Sequence, residues 1–158
     1  MTNKTAFDHG PLTYKYAKTL NGRGRYGAVT IQIVQTNTES TVTDACEWAT
    51  FKEAYPNFVE FDILKLWKQS AINAATHIIN SYSLPNNIEV ILRDVIGLYI
   101  DTCPSHIGAA MTIGIFDYCN KPLNKQDLES LDDFIESYRD PEIIPDYKQL
   151  QLTSSKIK

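Results

Sequence analysis

Three stretches of this sequence carry residue types able to do chemistry. Cys103-Pro104-Ser105-His106 sets a thiol just ahead of a proline that suits the first turn of a helix. The positive end of a helix favours a thiolate, and a nearby histidine could take the thiol proton. His106 on the following turn need not face the thiol, however, and no third group in the sequence orients it. The motif therefore reads first as a helix start, with a small cysteine-dependent enzyme at Cys103 kept as an alternative. Gly22, Gly24 and Gly27 fit the G-x-G-x-x-G spacing of a dinucleotide-binding loop. Such a loop must leave a strand and open a helix, so that the pyrophosphate meets the helix N-terminus. Here Val29, Ile31 and Ile33 alternate with polar neighbours, so the glycines open a strand and the nucleotide reading fails. They are expected instead to supply positive φ values in a turn. Arg23 and Arg25 are expected to be exposed on that turn, where they could grip a phosphate or a carboxylate-rich surface.

Other candidates are weaker. His9 and His77 stand alone, so no metal site follows from spacing. Paired acids such as Asp132 and Asp133 fall on a solvated helix face rather than facing each other as catalytic carboxylates. No catalytic residue and no cofactor is assigned. The cysteines Cys46, Cys103 and Cys119 are odd in number and widely spaced, which fits free thiols rather than a disulfide framework or a metal knuckle.

Charge is divided along the chain. The formal net charge is −4, which disfavours generic binding to nucleic acid. Residues 1–38 nevertheless carry Lys4, Lys15, Lys18, Arg23 and Arg25 against Asp8 alone, a local +4. Residues 125–147 carry eight carboxylates, among them Asp127, Asp132, Asp133 and Glu136, against Lys125 and Arg139, a local −6. The bland reading is two solvated faces of opposite sign; the sharper one is two surfaces with different partners.

The elements that must hold these residues follow from periodicity. Tyr14–Leu20 and Tyr26–Gln35 read as two strands of a hairpin around the Asn21–Arg25 loop, and Thr41–Thr50 as a third strand. From Asp62, which can cap the first turn, the period becomes 3.6: Ile63, Leu64, Trp67, Ala71, Ala74, Ala75, Ile78 and Ile79 form one stripe. Ser83–Asn87 ends that helix and Ile88–Ile100 reads as a long strand. A helix follows from Pro104 to about Asn120. Asn124 then caps an acidic helix with Leu128, Leu131, Phe134, Ile135 and Tyr138 as its buried stripe. The order β-β-β-α-β-α predicts an α+β two-layer sandwich over residues 1–123, with an appended acidic helix and flexible tail over 124–158. At 158 residues the chain is long enough for a single core. No apolar run approaches the ~18 residues of a membrane helix, so no membrane partner and a cytoplasmic location are expected.

The segment Tyr16 to Val29, reading YAKTLNGRGRYGAV, resembles the start of domain IV of bacterial elongation factor G: a lysine-bearing strand, a turn with Gly-Arg-Gly, then Tyr-Gly and a strand-starting valine. Gly22, Arg23, Gly24, Tyr26, Gly27 and Val29 match that pattern, and Asn21 replaces its first glycine. Tyr99-Ile100-Asp101-Thr102-Cys103-Pro104-Ser105 is similar, more thinly, to a second loop of the family, with Ile100 at its histidine, Cys103 at its second aspartate and Pro104 at one of its serines. The resemblance covers about residues 10–121. It implies a ribosomal-S5-domain-2-like fold with a left-handed β-α-β crossover, and a tip formed by both loops that contacts RNA in the decoding centre. Lys18, Arg23, Arg25, Tyr26, Tyr99 and Asp101 would be the tip residues. No GTPase domain accompanies them, so this chain alone cannot translocate a ribosome.

The expected function is therefore a non-enzymatic binding protein that engages the ribosome, its RNA or a translation-linked partner through that tip. The alternative from a different class is an immunity protein or antitoxin that presents Asp127, Asp132, Asp133 and Glu136 to a basic toxin.

Overall fold

In a computed structural model, residues 9–20 and 23–153 are described, Leu20 and Arg23 by backbone alone. The elements in chain order are β1 (Leu12–Leu20), β2 (Arg23–Gln35), β3 (Thr41–Asp44), α1 (Ala49–Ala54), α2 (Asp62–Ser81), β4 (Ile88–Ile96), α3 (Pro104–Tyr118) and α4 (Lys125–Glu136), followed by a 3-10 turn at Tyr147–Gln149. The chain is α+β, with a four-stranded mixed sheet in the order β1-β2-β4-β3. The pairs β1/β2 and β2/β4 are antiparallel, and β3/β4 is parallel. A parallel pair needs a crossover, and α1 and α2 supply it. Helix α3 covers β1 and β2, α2 lies over β3 and β4, and the two helices pack on one another.

Alternation builds the sheet's inner face. Val29, Ile31 and Ile33 of β2 and Val90, Leu92 and Val95 of β4 are all fully buried. The odd spacing from Leu92 to Val95 is explained by a bulge, where Thr30 pairs with Asp94 and Ile31 with Leu92, leaving Arg93 as the extra residue. The stripe read for α2 is buried apart from Ile63, which is half-exposed. Its N-cap is Phe61 and no side chain caps it, so Asp62 sits in the first turn without the capping role expected of it. Helix α3 is buried nearly all round, as its run of alanines and glycines permits.

Three predicted elements have different bounds for tertiary reasons. The third strand stops at Asp44 rather than Thr50. Trp48 adopts a left-handed backbone at φ 57°, and the buried Asp94 carboxylate accepts from Thr50 N and Oγ1 at 3.2 and 2.6 Å, starting α1 in place of the strand. The fourth strand stops at Ile96 rather than Ile100. At Gly97 the chain crosses the Trp67 ring so closely that a Cβ would lie 2.6 Å from it, and Leu98 N then turns onto Thr102 Oγ1 at 2.8 Å. In the hairpin, β2 begins at Arg23, so Arg23, Gly24 and Arg25 pair with Leu20, Thr19 and Lys18 instead of forming a loop. Asn21 and Gly22 lie outside the described residues.

The expected boundary at residue 123 falls inside one continuous core. Asn124 does cap α4, its side chain accepting from Asp127 N at 2.8 Å, and Leu131, Phe134 and Ile135 are buried against the rest of the molecule. Leu128 is exposed and Tyr138 lies beyond the helix end, so the stripe is shorter than read. Tyr147, Leu150 and Leu152 join the same cluster. Tyr147 Oη meets Ser70 Oγ at 2.7 Å against the bare backbone of Gly108. Residues 154–158 of the expected tail lie outside the described residues. Among the described residues no helix is long and apolar enough to cross a membrane.

Candidate binding site

The hairpin and the 98–103 loop adjoin at one end of the sheet. Tyr26 N donates to Asp101 O at 3.3 Å, and Thr102 Oγ1 donates to Tyr26 O at 2.5 Å. The Gly24 Cα faces the Asp101 carboxylate, to which an added Cβ would approach within 3.3 Å. Neither Gly24 nor Gly27 has a positive φ, contrary to the turn role expected of them. Gly27 is required for close approach instead: a Cβ there would lie 2.7 Å from the carbonyl carbon of His106, so the N-terminal turn of α3 rests directly on β2.

Arg25 is not exposed. Only 7% of it is accessible, and its Nη2 lies 3.1 and 3.3 Å from the two Glu136 oxygens. Lys18 pairs with Asp132, which also accepts from Tyr16 Oη at 2.9 Å. Burial, reinforced by this hydrogen bond, pushes the Tyr16 hydroxyl pKa up. The expected acidic partner surface is thus largely spent inside the molecule. Asp132 and Glu136 neutralise the hairpin, and Asp127 is fully buried, accepting from Thr153 N and Oγ1 at 2.7 and 2.9 Å. Of the four acids named, Asp133 alone is exposed. Through these two pairs the basic and acidic segments face one another. The side chain of Arg23 lies outside the described residues.

The Cys-Pro-Ser-His motif acts as a latch. Cys103 Sγ donates to the carbonyl of Arg139 at 3.1 Å and Ser105 Oγ to that of Tyr138 at 2.7 Å, so the start of α3 holds the chain leaving α4. His106 Nδ1 accepts the Cys103 backbone N–H at 2.9 Å, which completes the N-terminal cap and leaves Nδ1 unavailable to the thiol. Burial first, and then the Arg25 charge, lower the His106 pKa to about 4 against the opposing pull of Asp101, so the ring is neutral near pH 7. Its proton then sits on Nε2. Between the start of β2, the 98–103 loop and this helix start lies a cleft of about 560 Å³ lined by Arg25, Asp101, Cys103, His106 and Arg139.

Tyr99 does not join Arg25. Its ring packs at centroid distances of 5.9 Å from Phe51, 5.6 Å from Phe61 and 6.2 Å from Trp67. It belongs to a contiguous apolar surface made by Tyr55, Val59, Phe61, Leu98, Tyr99 and Ile100, all exposed, with Val59 74% and Ile100 96% accessible. Ile100 and Asp101 line both this surface and the cleft. Sequence reasoning missed the patch because it read residues 88–100 as strand and residues 55–57 as punctuation. The signal available was an apolar Leu98-Tyr99-Ile100 run next to Gly97. Among the described residues no group of three His, Cys, Asp or Glu is placed to hold a metal ion.

No protein-family model matches the chain, and no curated protein does. Among solved structures, the chain is similar to the crystal structure of ttk003000868 from Thermus thermophilus, at 15% identity and a TM-score of 0.43, over 65% of this chain and 14% of that one. The chain thus spans a small part of that protein's length, and a likeness at this level assigns neither family nor activity.

Proposed function

We propose that this protein is a non-catalytic binding module, a relative of elongation factor G domain IV with an S5-domain-2-like arrangement, that docks a protein partner on its apolar end. The observation that carries this reading is the contiguous exposure of Tyr55, Val59, Phe61, Leu98, Tyr99 and Ile100, since monomeric proteins seldom leave such a patch open without use. The relation to domain IV draws support from the Gly22-to-Val29 motif, the parallel β3/β4 pair and the adjacency of the hairpin to the 98–103 loop.

Binding to RNA through the hairpin is less well supported. It needs cations free for phosphates, and Lys18 and Arg25 are held by Asp132 and Glu136. An immunity or antitoxin role through α4 meets the same difficulty, because two of its expected contact acids are engaged and Asp127 is buried. A cysteine enzyme is less well supported, because His106 Nδ1 accepts a backbone N–H and does not meet the thiol.

The test is photo-crosslinking in native lysate with a diazirine amino acid at Ile100, compared with Val59→Asp in the same background. The expected result is a protein captured at 1:1 stoichiometry, lost in Val59→Asp and retained at roughly 0.5 M salt, as an apolar interface would be. Capture of ribosomal RNA that falls steeply with salt and persists in Val59→Asp overturns the reading in favour of the ribosome.

A further inference from the structure

The cleft beside the apolar patch has an independent chemistry. Two of its lining side chains carry buried donors that no well-aligned acceptor meets. Arg25 is more than nine-tenths buried, and its Nε has no acceptor although Nη2 is engaged by Glu136. His106 is 2% accessible, and its Nε2, which bears the ring proton, reaches no acceptor at full geometry, with the Asp101 backbone close by. Buried donors are almost always paired, so an orphaned Nε and a poorly aligned Nε2 lining one opening point to a missing acceptor.

Two arginines frame the opening. Arg139 stands at the lip with its side chain 60% exposed, placed by the bonds from Cys103 and Ser105 to the carbonyls beside it. Arg25 and Arg139 share the single carboxylate of Glu136, at 3.1 and 4.0 Å. With Asp101 on the opposite wall these groups carry no net charge, so the cleft draws an acceptor through its unmet donors rather than through surplus charge. The first turn of α3, a 15-residue helix, adds the positive end of its dipole.

We propose that this cleft binds a phosphate-sized oxyanion, received by Arg25, His106 and Arg139 at the N-terminus of α3. At about 560 Å³ the cleft exceeds what a bare ion fills and falls in the range of small-molecule sites, so the oxyanion is one end of a small phosphorylated or carboxylated molecule whose remainder lies along Ile100. Asp101 on the far wall accepts a hydroxyl of such a ligand and rejects a second anionic group.

The test is an NMR titration of the full chain at constant ionic strength with inorganic phosphate, with acetate and with chloride, following the Arg25 Nε–H and His106 Nε2–H protons. A saturable shift of both with phosphate or acetate, absent with chloride, is expected, and the tighter of the two anions names the ligand class. Arg139→Gln, a change at the exposed lip, is expected to weaken that binding about tenfold with an unchanged melting temperature, while Lys65→Gln on α2 leaves it unchanged. Equal response to all three anions, no response, or an unaltered constant in Arg139→Gln overturns the proposal. Val59→Asp separates it from the docking reading, because that variant loses the partner and keeps the anion.

Discussion

Nη2 of Arg25 lies 3.1 Å from a carboxylate oxygen of Glu136, joining a strand near the start of the chain to a helix near its end. The two charge blocks visible in the sequence are thereby partners of each other. Removing one member of a buried pair strands the other, whereas removing an exposed one costs little. Glu136→Gln is expected to destabilise the fold by about 1–2 kcal/mol, below the full buried-pair penalty because Glu136 is itself 38% exposed. Lys18→Gln, at 41% exposure, is expected within about 0.5 kcal/mol of wild type. Urea titrations at equal m-value check the order, and equal losses in both variants would refute it.

The glycines of the hairpin separate by what lies above them. Gly27→Ala drives a methyl to 2.7 Å from the His106 carbonyl carbon, backbone against backbone, and is expected to cost about 2–3 kcal/mol or more. Gly24→Ala meets only the movable Asp101 carboxylate at 3.3 Å and is expected to cost under about 1 kcal/mol. Thermal melts of the two variants decide the matter, and a Gly27→Ala protein as stable as wild type would show that α3 does not rest on β2.

His106 makes stability depend on pH. Its folded pKa, lowered to about 4 by burial and Arg25, lies below the unfolded value of about 6.5, so at intermediate pH the unfolded chain binds the extra proton. Stability is full above about pH 6.5 and is lost as pH falls toward 4, with a slope of up to about 1.4 kcal/mol per pH unit. His77, also lowered by burial, adds in the same direction. The comparison of wild type with His106→Asn therefore isolates the contribution, and identical pH profiles would exclude it.

Two of the thiols are expected to resist alkylation in the folded protein. Burial pushes Cys46 up to about 11 and Cys119 up to about 12, so both should stay unmodified by iodoacetamide at about pH 8 in the folded protein and react at once in urea. Mass spectrometry of digests reads this directly, and native labelling of Cys119 would contradict its burial.

What local pattern decides was legible in the sequence. The period of α2, the Asn124 cap of α4, Pro104 at the start of α3 and the alternation of β2 all belong to neighbouring residues, and each stands close to where it was read. What failed was set by contacts across the chain. Nothing near Thr50 announces that Asp94 will cap a helix there, and nothing near Ile100 announces that Trp67 will lie under Gly97. The site suffered most from this. The hairpin and the 98–103 loop adjoin, yet nothing near Arg25 in the chain announces its carboxylate partner 111 residues away, and the exposed Leu98-Tyr99-Ile100 run reads as the end of a strand that stops at Ile96.

The bond from Tyr16 to Asp132 spans 116 positions, and with the Arg25 pair it makes the last helix close the first hairpin. Loop closure of that length must precede any reward from the contact, so until α4 has docked the hairpin cations stand without their carboxylates. Any state with α4 undocked therefore presents a more basic hairpin than the folded one.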